Sequence, residues 1–97
     1  MPASVTELSR VGLFGSLPGE VLGRLAERLA RDELAPGGRV EDGFVVVLSG
    51  MLRGREVLRP GTWVVDGGAL AALTPAVVAH CDRATYDALI APHAPPS

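Results

Sequence analysis

The chain contains no lysine, and all nine of its basic residues are arginine. It has one cysteine, one tryptophan, one tyrosine and two phenylalanines, so aromatics are only 4% of the residues. Each scarcity excludes something. A single cysteine, Cys81, cannot close an intrachain disulfide, which fits a reducing compartment. The exclusive use of arginine, scattered among acids, reads as a GC-rich coding bias. The net charge of −2 and the isoelectric point near 5.6 leave no basic footprint for DNA or RNA. No apolar run approaches the ~20 residues that span a bilayer. The opening "MPASVTELSR" lacks a basic start followed by an apolar block, so no signal peptide is expected. The expectation is a bacterial, cytoplasmic protein without a nucleic-acid or membrane partner.

What the chain does have is apolar bulk. At 97 residues and 47% apolar it makes one domain, burying roughly 60–65% of its unfolded surface. With aromatics so few, the core falls to Val, Leu and Ala. "LPGEVLGRLAERLARDEL" is the strongest helical pattern. Val21, Leu22, Leu25, Ala26, Leu29 and Ala30 share one face. Glu20, Arg24, Glu27, Arg28 and Arg31 line the other as a solvated surface, with Glu20–Arg24 and Glu27–Arg31 as i,i+4 pairs. A shorter helix is expected over residues 4–11, capped by Ser4 or Thr6, with Phe14 and Leu17 packing the entry to the second.

From Leu34 the pattern changes. Pro and Gly punctuate the chain every few residues, and short runs rich in Val and Leu lie between them, "FVVVL" being the plainest. That rhythm predicts a small β-sandwich or barrel, although "ALAAL" fits a turn of helix as well as a strand. A last helix starts at Asp82, whose carboxylate caps it, and places Tyr86, Leu89 and Ile90 on one side. "PHAPPS" reads as a disordered tail. The domain is thus residues 1–91, with N-terminal helices over 4–31, a β-roll over 32–81 and a helix over 82–91, followed by a tail at 92–97.

Several stretches, in order, resemble a known family. "SRVGLFGSLPGEVLGRLAERLARDELAPGGRV" is similar to the opening of cyclic nucleotide-binding domains of the catabolite-activator type. "FVVVLSGMLRG" resembles that family's aromatic-valine strand ending in LSG. "GREVLRPGTW" resembles its next hairpin, and "VVAHCDRATYDALI" its exit from strand to acid-led helix. The resemblance covers Val11 to Ile90. It implies a mainly β fold with flanking helices, a small β-roll or jelly roll.

The departures bear on function. The family's ligand cassette follows the strand that opens with PGD. There a Gly-Glu-hydrophobic-Ala segment starts a short helix, its Glu holds the ribose, and an Arg pairs with the cyclic phosphate. The matching stretch here is "GTWVVDGGALAALTPAVV". Gly67, Gly68, Ala69 and Leu70 echo the cassette's start, but no Glu follows the glycine. Pro75 is followed by Ala76, so no residue matches the phosphate-pairing Arg. Burying a phosphate without a cation costs several kcal/mol, and Asp66 would repel one. Cyclic nucleotide binding in the family's manner is therefore not expected.

Other chemistry finds little support. "HCD" at 80–82 sets His80, Cys81 and Asp82 side by side, yet neighbouring strand residues point to opposite faces, and zinc spacing is missing. No catalytic residue, metal or cofactor is expected. Arg53, Arg55 and Arg59 flank one hairpin with Glu56 among them and read as a solvated face. Trp63 either fills the interior of the roll or marks an exposed contact patch. The resulting expectation is a non-catalytic module that has lost cyclic nucleotide binding and serves in protein–protein interaction or self-assembly, with Trp63, Val64 and Val65 as contact residues. The alternative is a small-molecule or nucleotide sensor whose residual pocket uses Trp63, Asp66, Gly67 and Gly68.

Overall fold

The structure, a computed structural model, describes residues 8, 11–15 and 17–93. A short turn of helix, α1 (Gly12–Gly15), leads into α2 (Gly19–Arg28). Eight strands follow: β1 (Ala30–Leu34), β2 (Arg39–Val40), β3 (Phe44–Ser49), β4 (Leu52–Arg53), β5 (Val57–Leu58), β6 (Trp63–Val65), β7 (Leu70–Ala72) and β8 (Ala76–Cys81). After β8 come α3 (Arg83–Leu89) and a 3₁₀ turn at Ala91–His93, the last of the described elements. The strands make two four-stranded antiparallel sheets, ordered β1-β8-β3-β6 and β2-β7-β4-β5. The fold is mainly antiparallel β with flanking helices, a β-roll.

The helical pattern ends earlier than its sequence period implies. Leu29 turns to extended backbone (φ −83°, ψ 127°), and residues 30–34 pair along β8 from Ala30↔His80 to Leu34↔Ala76. The expected boundary at residue 31 is therefore corrected to Arg28. Five residues of strand pairing outweigh the strong helical preference of "ARDEL", in which only Asp32 is a poor helix former. Arg31 cannot then meet Glu27 at i,i+4, and instead bonds Glu33, two residues along the strand, at 3.0 Å. The ambiguous "ALAAL" forms strand β7. Of the expected helix over 4–11, Leu8 and Val11 are described, both buried, and the capping residues Ser4 and Thr6 lie outside the described residues. Pro92 and His93, assigned by sequence to the tail, belong to the 3₁₀ turn, with the His93 amide donating to the Ile90 carbonyl at 2.9 Å. Proline's φ suits such a turn.

There are two cores. One lies between the helices and the outer face of the first sheet and includes Phe14, Leu25, Leu29, Phe44, Val46, Cys81, Tyr86 and Ile90. The other fills the roll with Val40, Val45, Val47, Leu52, Leu58, Leu70 and Val78. Strand β3 lies between β8 and β6, and its first four residues are all buried. This is why "FVVVL" is a continuous apolar run and not an alternating one. Each such side chain contributes about 1.5–3 kcal/mol on burial.

Candidate functional site

The site to be judged is the connection between β6 and β7. Only residues 66–69 join these strands, and they contain no helix. So short a turn needs left-handed backbone, supplied by Asp66 (φ 52°) and Gly68 (φ 72°). Aspartate tolerates that region better than most side chains, and glycine enters it freely. The Asp66 amide donates to the Gly43 carbonyl at 2.8 Å, tying the turn to the start of β3. A Cβ on Gly43 would lie 2.3 Å from the Arg83 amide nitrogen, so glycine there lets α3 dock beside the turn.

This docking brings in the nearest cation. Arg83 bonds the Asp66 carboxylate through Nη1 and holds Asp87 at 3.0 Å through Nε, with its guanidinium 5.8 Å from the centre of the Tyr86 ring. Asp87 and then Asp66 raise the Arg83 pKa further above its ordinary value. Two of its three nitrogens, Nη1 and Nε, are thus committed to protein carboxylates. Sequence spacing gave no signal of this pairing, since Asp66 and Arg83 are separated by two strands, β7 and β8.

Beside the turn lies a cleft of about 310 Å³. The β4–β5 hairpin contributes Gly54, Arg55 and Glu56 to its wall, facing Val65, Asp66 and Gly67. One arginine therefore stands among two carboxylates. Of the expected pocket residues, Asp66 and Gly67 line this cleft, while the exposed Gly68 and Trp63 do not.

Trp63 differs from both sequence expectations. It does not fill the interior of the roll, and it is half-buried, not an exposed patch. Strand alternation turns Trp63 and Val65 toward the helices and sends Val64 into the roll. There Trp63 joins the chain's other three aromatics. Its ring centre is 6.1 Å from that of Phe44 and 6.4 Å from that of Tyr86, while Phe44 stacks on Tyr86 at 5.2 Å and lies 6.2 Å from Phe14. Such tilted and stacked pairs add about 0.5–1.5 kcal/mol beyond area burial. None of the three expected contact residues is freely exposed.

The "HCD" stretch separates as its alternation predicts. Cys81 is buried on the helix side, and burial, with the nearby Asp42 and Asp82 charges, pushes its thiol up to about 12, which removes it as a nucleophile. Asp82 caps α3, accepting from the Thr85 amide at 2.7 Å. His80 holds the arrangement that sequence reasoning missed: its two ring nitrogens meet Asp42 at 2.7 Å and Asp32 at 2.6 Å. Asp32 lies 48 positions away, so only the β1–β8 register reveals the contact. No cluster of three or more metal-ligating side chains is found among the described residues.

Comparison with solved structures settles the architecture. A regulatory subunit of a cAMP-independent protein kinase A from Trypanosoma brucei superposes with a TM-score of 0.76 at 20% identity, over 92% of this chain and 41% of that one. The fold is that of a cyclic nucleotide-binding domain. A regulatory subunit of a cAMP-independent protein kinase A from Trypanosoma cruzi, bound to guanosine, matches at 0.73 and 18% identity, over 92% of this chain and 41% of that one. A cyclic nucleotide-binding-like protein from Brucella abortus matches at 0.59 and 18% identity, covering 88% of this chain and 95% of its own. This chain thus spans about two fifths of the trypanosome subunits. No family model and no curated protein matches the sequence.

Proposed function

We propose that this chain is a non-catalytic, cyclic nucleotide-binding-like module that has given up the cyclic nucleotide and acts through contact with another protein. The observation that carries this reading is the four-residue β6–β7 turn, whose Asp66 carboxylate engages Arg83. A cyclic phosphate entering the adjacent cleft would meet Asp66 and Glu56 as well as Arg55, and would have to take Arg83 from two carboxylates. Desolvating an anion against that balance is unfavourable. No helix among the described residues is long and apolar enough to cross a membrane, and we place the module in the cytoplasm.

A second reading, a small-molecule sensor, draws on one comparison. The T. cruzi subunit is bound to guanosine, which carries no phosphate. A cleft of about 310 Å³ with an acidic balance suits a neutral or cationic ligand better than an anion.

Isothermal titration of cyclic AMP, cyclic GMP and guanosine, with light scattering on the same sample, separates these readings. The proposal expects no heat from either cyclic nucleotide. Micromolar binding of a cyclic nucleotide overturns it, and binding of guanosine alone transfers the function to the sensor reading. The scattering mass shows whether the partner is a second copy.

A further inference from the structure

The central strands of the first sheet, β3 and β8, are covered on both faces, by the helices on one side and the interior of the roll on the other. The second sheet buries only its inner face, through Val40, Leu52, Leu58, Leu70 and Ala72. Among the described residues, its outer face carries exposed side chains. The three large hydrophobic residues exposed among the described residues are Met51, Val57 and Leu73, at 37%, 49% and 44%. All three belong to this face. Val57 faces outward on β5, and Met51 and Leu73 extend the β4–β7 ladder, the Leu73 amide donating to the Met51 carbonyl at 2.9 Å.

The charges carried by the strands of this face are both positive, with the exposed Glu41 just beyond the end of β2. Arg39 on β2 and Arg53 on β4 are both in register with Ala71 on the strand between them. Neighbouring strands lie about 4.8 Å apart, so these arginines flank a small residue with their Cα atoms about 10 Å apart. Strands β2, β4, β5 and β7 contain no carboxylate. Among the described residues, neither arginine forms an ion pair, and the nearest acids in sequence, Glu41 and Glu56, pair with neither. Arg31 and Arg83, on the other side of the molecule, are both bonded to carboxylates.

We infer that the outer face of the β2-β7-β4-β5 sheet is a docking surface for a protein segment carrying a carboxylate beside apolar side chains, the carboxylate seated over Ala71 between Arg39 and Arg53. The inference rests on the protein-contact reading above and names the surface and the chemistry of its partner. Two guanidiniums converging on one carboxylate supply paired, charge-assisted hydrogen bonds. Met51, Leu73 and Val57 supply the exposed apolar contact around them, and arginine and methionine are among the residue types enriched at interfaces. A second copy does not fit through this face, because an isologous contact would set arginines against arginines. An anionic membrane does not fit either. Lipid-binding clusters use roughly 4–8 basic residues, whereas this face has two, on a chain of net charge −2.

The test is selection from a random 12-residue peptide phage library on the intact protein, followed by titration of the enriched synthetic peptides. Each is titrated into the wild type, the exposed double variant Arg39→Glu/Arg53→Glu, and Arg39→Lys/Arg53→Lys. The expected peptides pair Asp or Glu with apolar residues, lose about tenfold or more in affinity for the Glu variant, and weaken with added salt. The Lys variant retains part of the binding, because it keeps the charge without the planar fork. Acid-free peptides, or equal binding to wild type and Glu variant, overturn this face while leaving the protein-contact reading standing. No enrichment at all overturns the face. Heat from cyclic nucleotides in the separate titration overturns the reading beneath it. Co-sedimentation with phosphatidylcholine vesicles containing phosphatidylserine, abolished by the Glu variant, also overturns the inference, in favour of a lipid surface.

Discussion

Nδ1 of His80 lies 2.7 Å from a carboxylate oxygen of Asp42, and this bond has a counterpart on the opposite ring nitrogen, where Asp32 lies at 2.6 Å. Only the protonated imidazolium can donate from both nitrogens, since the neutral ring has one N–H. The clamp joins β1, β8 and the loop ahead of β3. Burial alone would lower the His80 pKa, but the hydrogen bonds and charges of Asp42 and Asp32 outweigh it and raise the pKa above 6.5.

A stability profile follows from that direction. A pKa raised in the folded state gives stability that is fully present below the unfolded value of 6.5 and is lost as pH rises through the folded value. Urea unfolding between pH 5.5 and 8.5 is expected to show this loss, and the His80→Gln variant to lack it. At pH 6 that variant is expected to cost about 1–3 kcal/mol, because two carboxylates lose a shared donor. An NMR titration placing His80 at or below 6.5 would refute the clamp.

Two glycines separate backbone strain from steric collision. Gly50 (φ +76°) leaves no room for a side chain, since a Cβ would lie 2.3 Å from the Pro75 carbonyl oxygen and 2.7 Å from the Ala76 Cα. Gly61 (φ +91°) has the same handedness and nothing within 4 Å. Gly61→Ala should cost about 1–2 kcal/mol from the dihedral alone. Gly50→Ala should cost about 3 kcal/mol or more, because collision adds to strain. Equal midpoints in urea would contradict the packing at Gly50.

Phe44 is the hub of the aromatic cluster, within 6.2 Å of Phe14, Trp63 and Tyr86. Phe44→Ala is expected to cost about 3–5 kcal/mol. Fluorescence of Trp63, the chain's only tryptophan, should shift to the red even where the variant remains folded, because the ring loses its buried neighbour.

Cys81 should be inert. With the thiol pushed up to about 12 and buried, labelling by a disulfide reagent at pH 8 should be slow in the native protein and rapid in urea. Fast native labelling would show that the helix layer opens readily.

Much of the fold is legible in the residues themselves. The aromatic-valine run marks the doubly buried β3, the Pro-Gly punctuation marks the roll, and Asp82 marks the start of α3. Local pattern fails where pairing across the chain decides the outcome. "ARDEL" carries on the helical period of α2, yet the pairing of Ala30–Leu34 with β8 makes it a strand. Trp63 could be assigned to a face only once β6 was in register with β3, at Val46↔Trp63. The Asp32–His80–Asp42 clamp and the Arg39–Ala71–Arg53 row depend on register in the same way and leave no trace in local spacing. The short β6–β7 connection was legible because Asp66 and two glycines follow the "WVV" run directly.

Strand β3 sends Phe44 and Val46 into the helix-side core and Val45 and Val47 into the roll. It is thus a wall shared by two compartments, so that loosening either one removes packing from the other. The amide hydrogens of β3 should then exchange with deuterated solvent only through whole-molecule opening, at one common free energy. A partner seated on the outer sheet would slow that exchange across the molecule, including at α3, which it never touches.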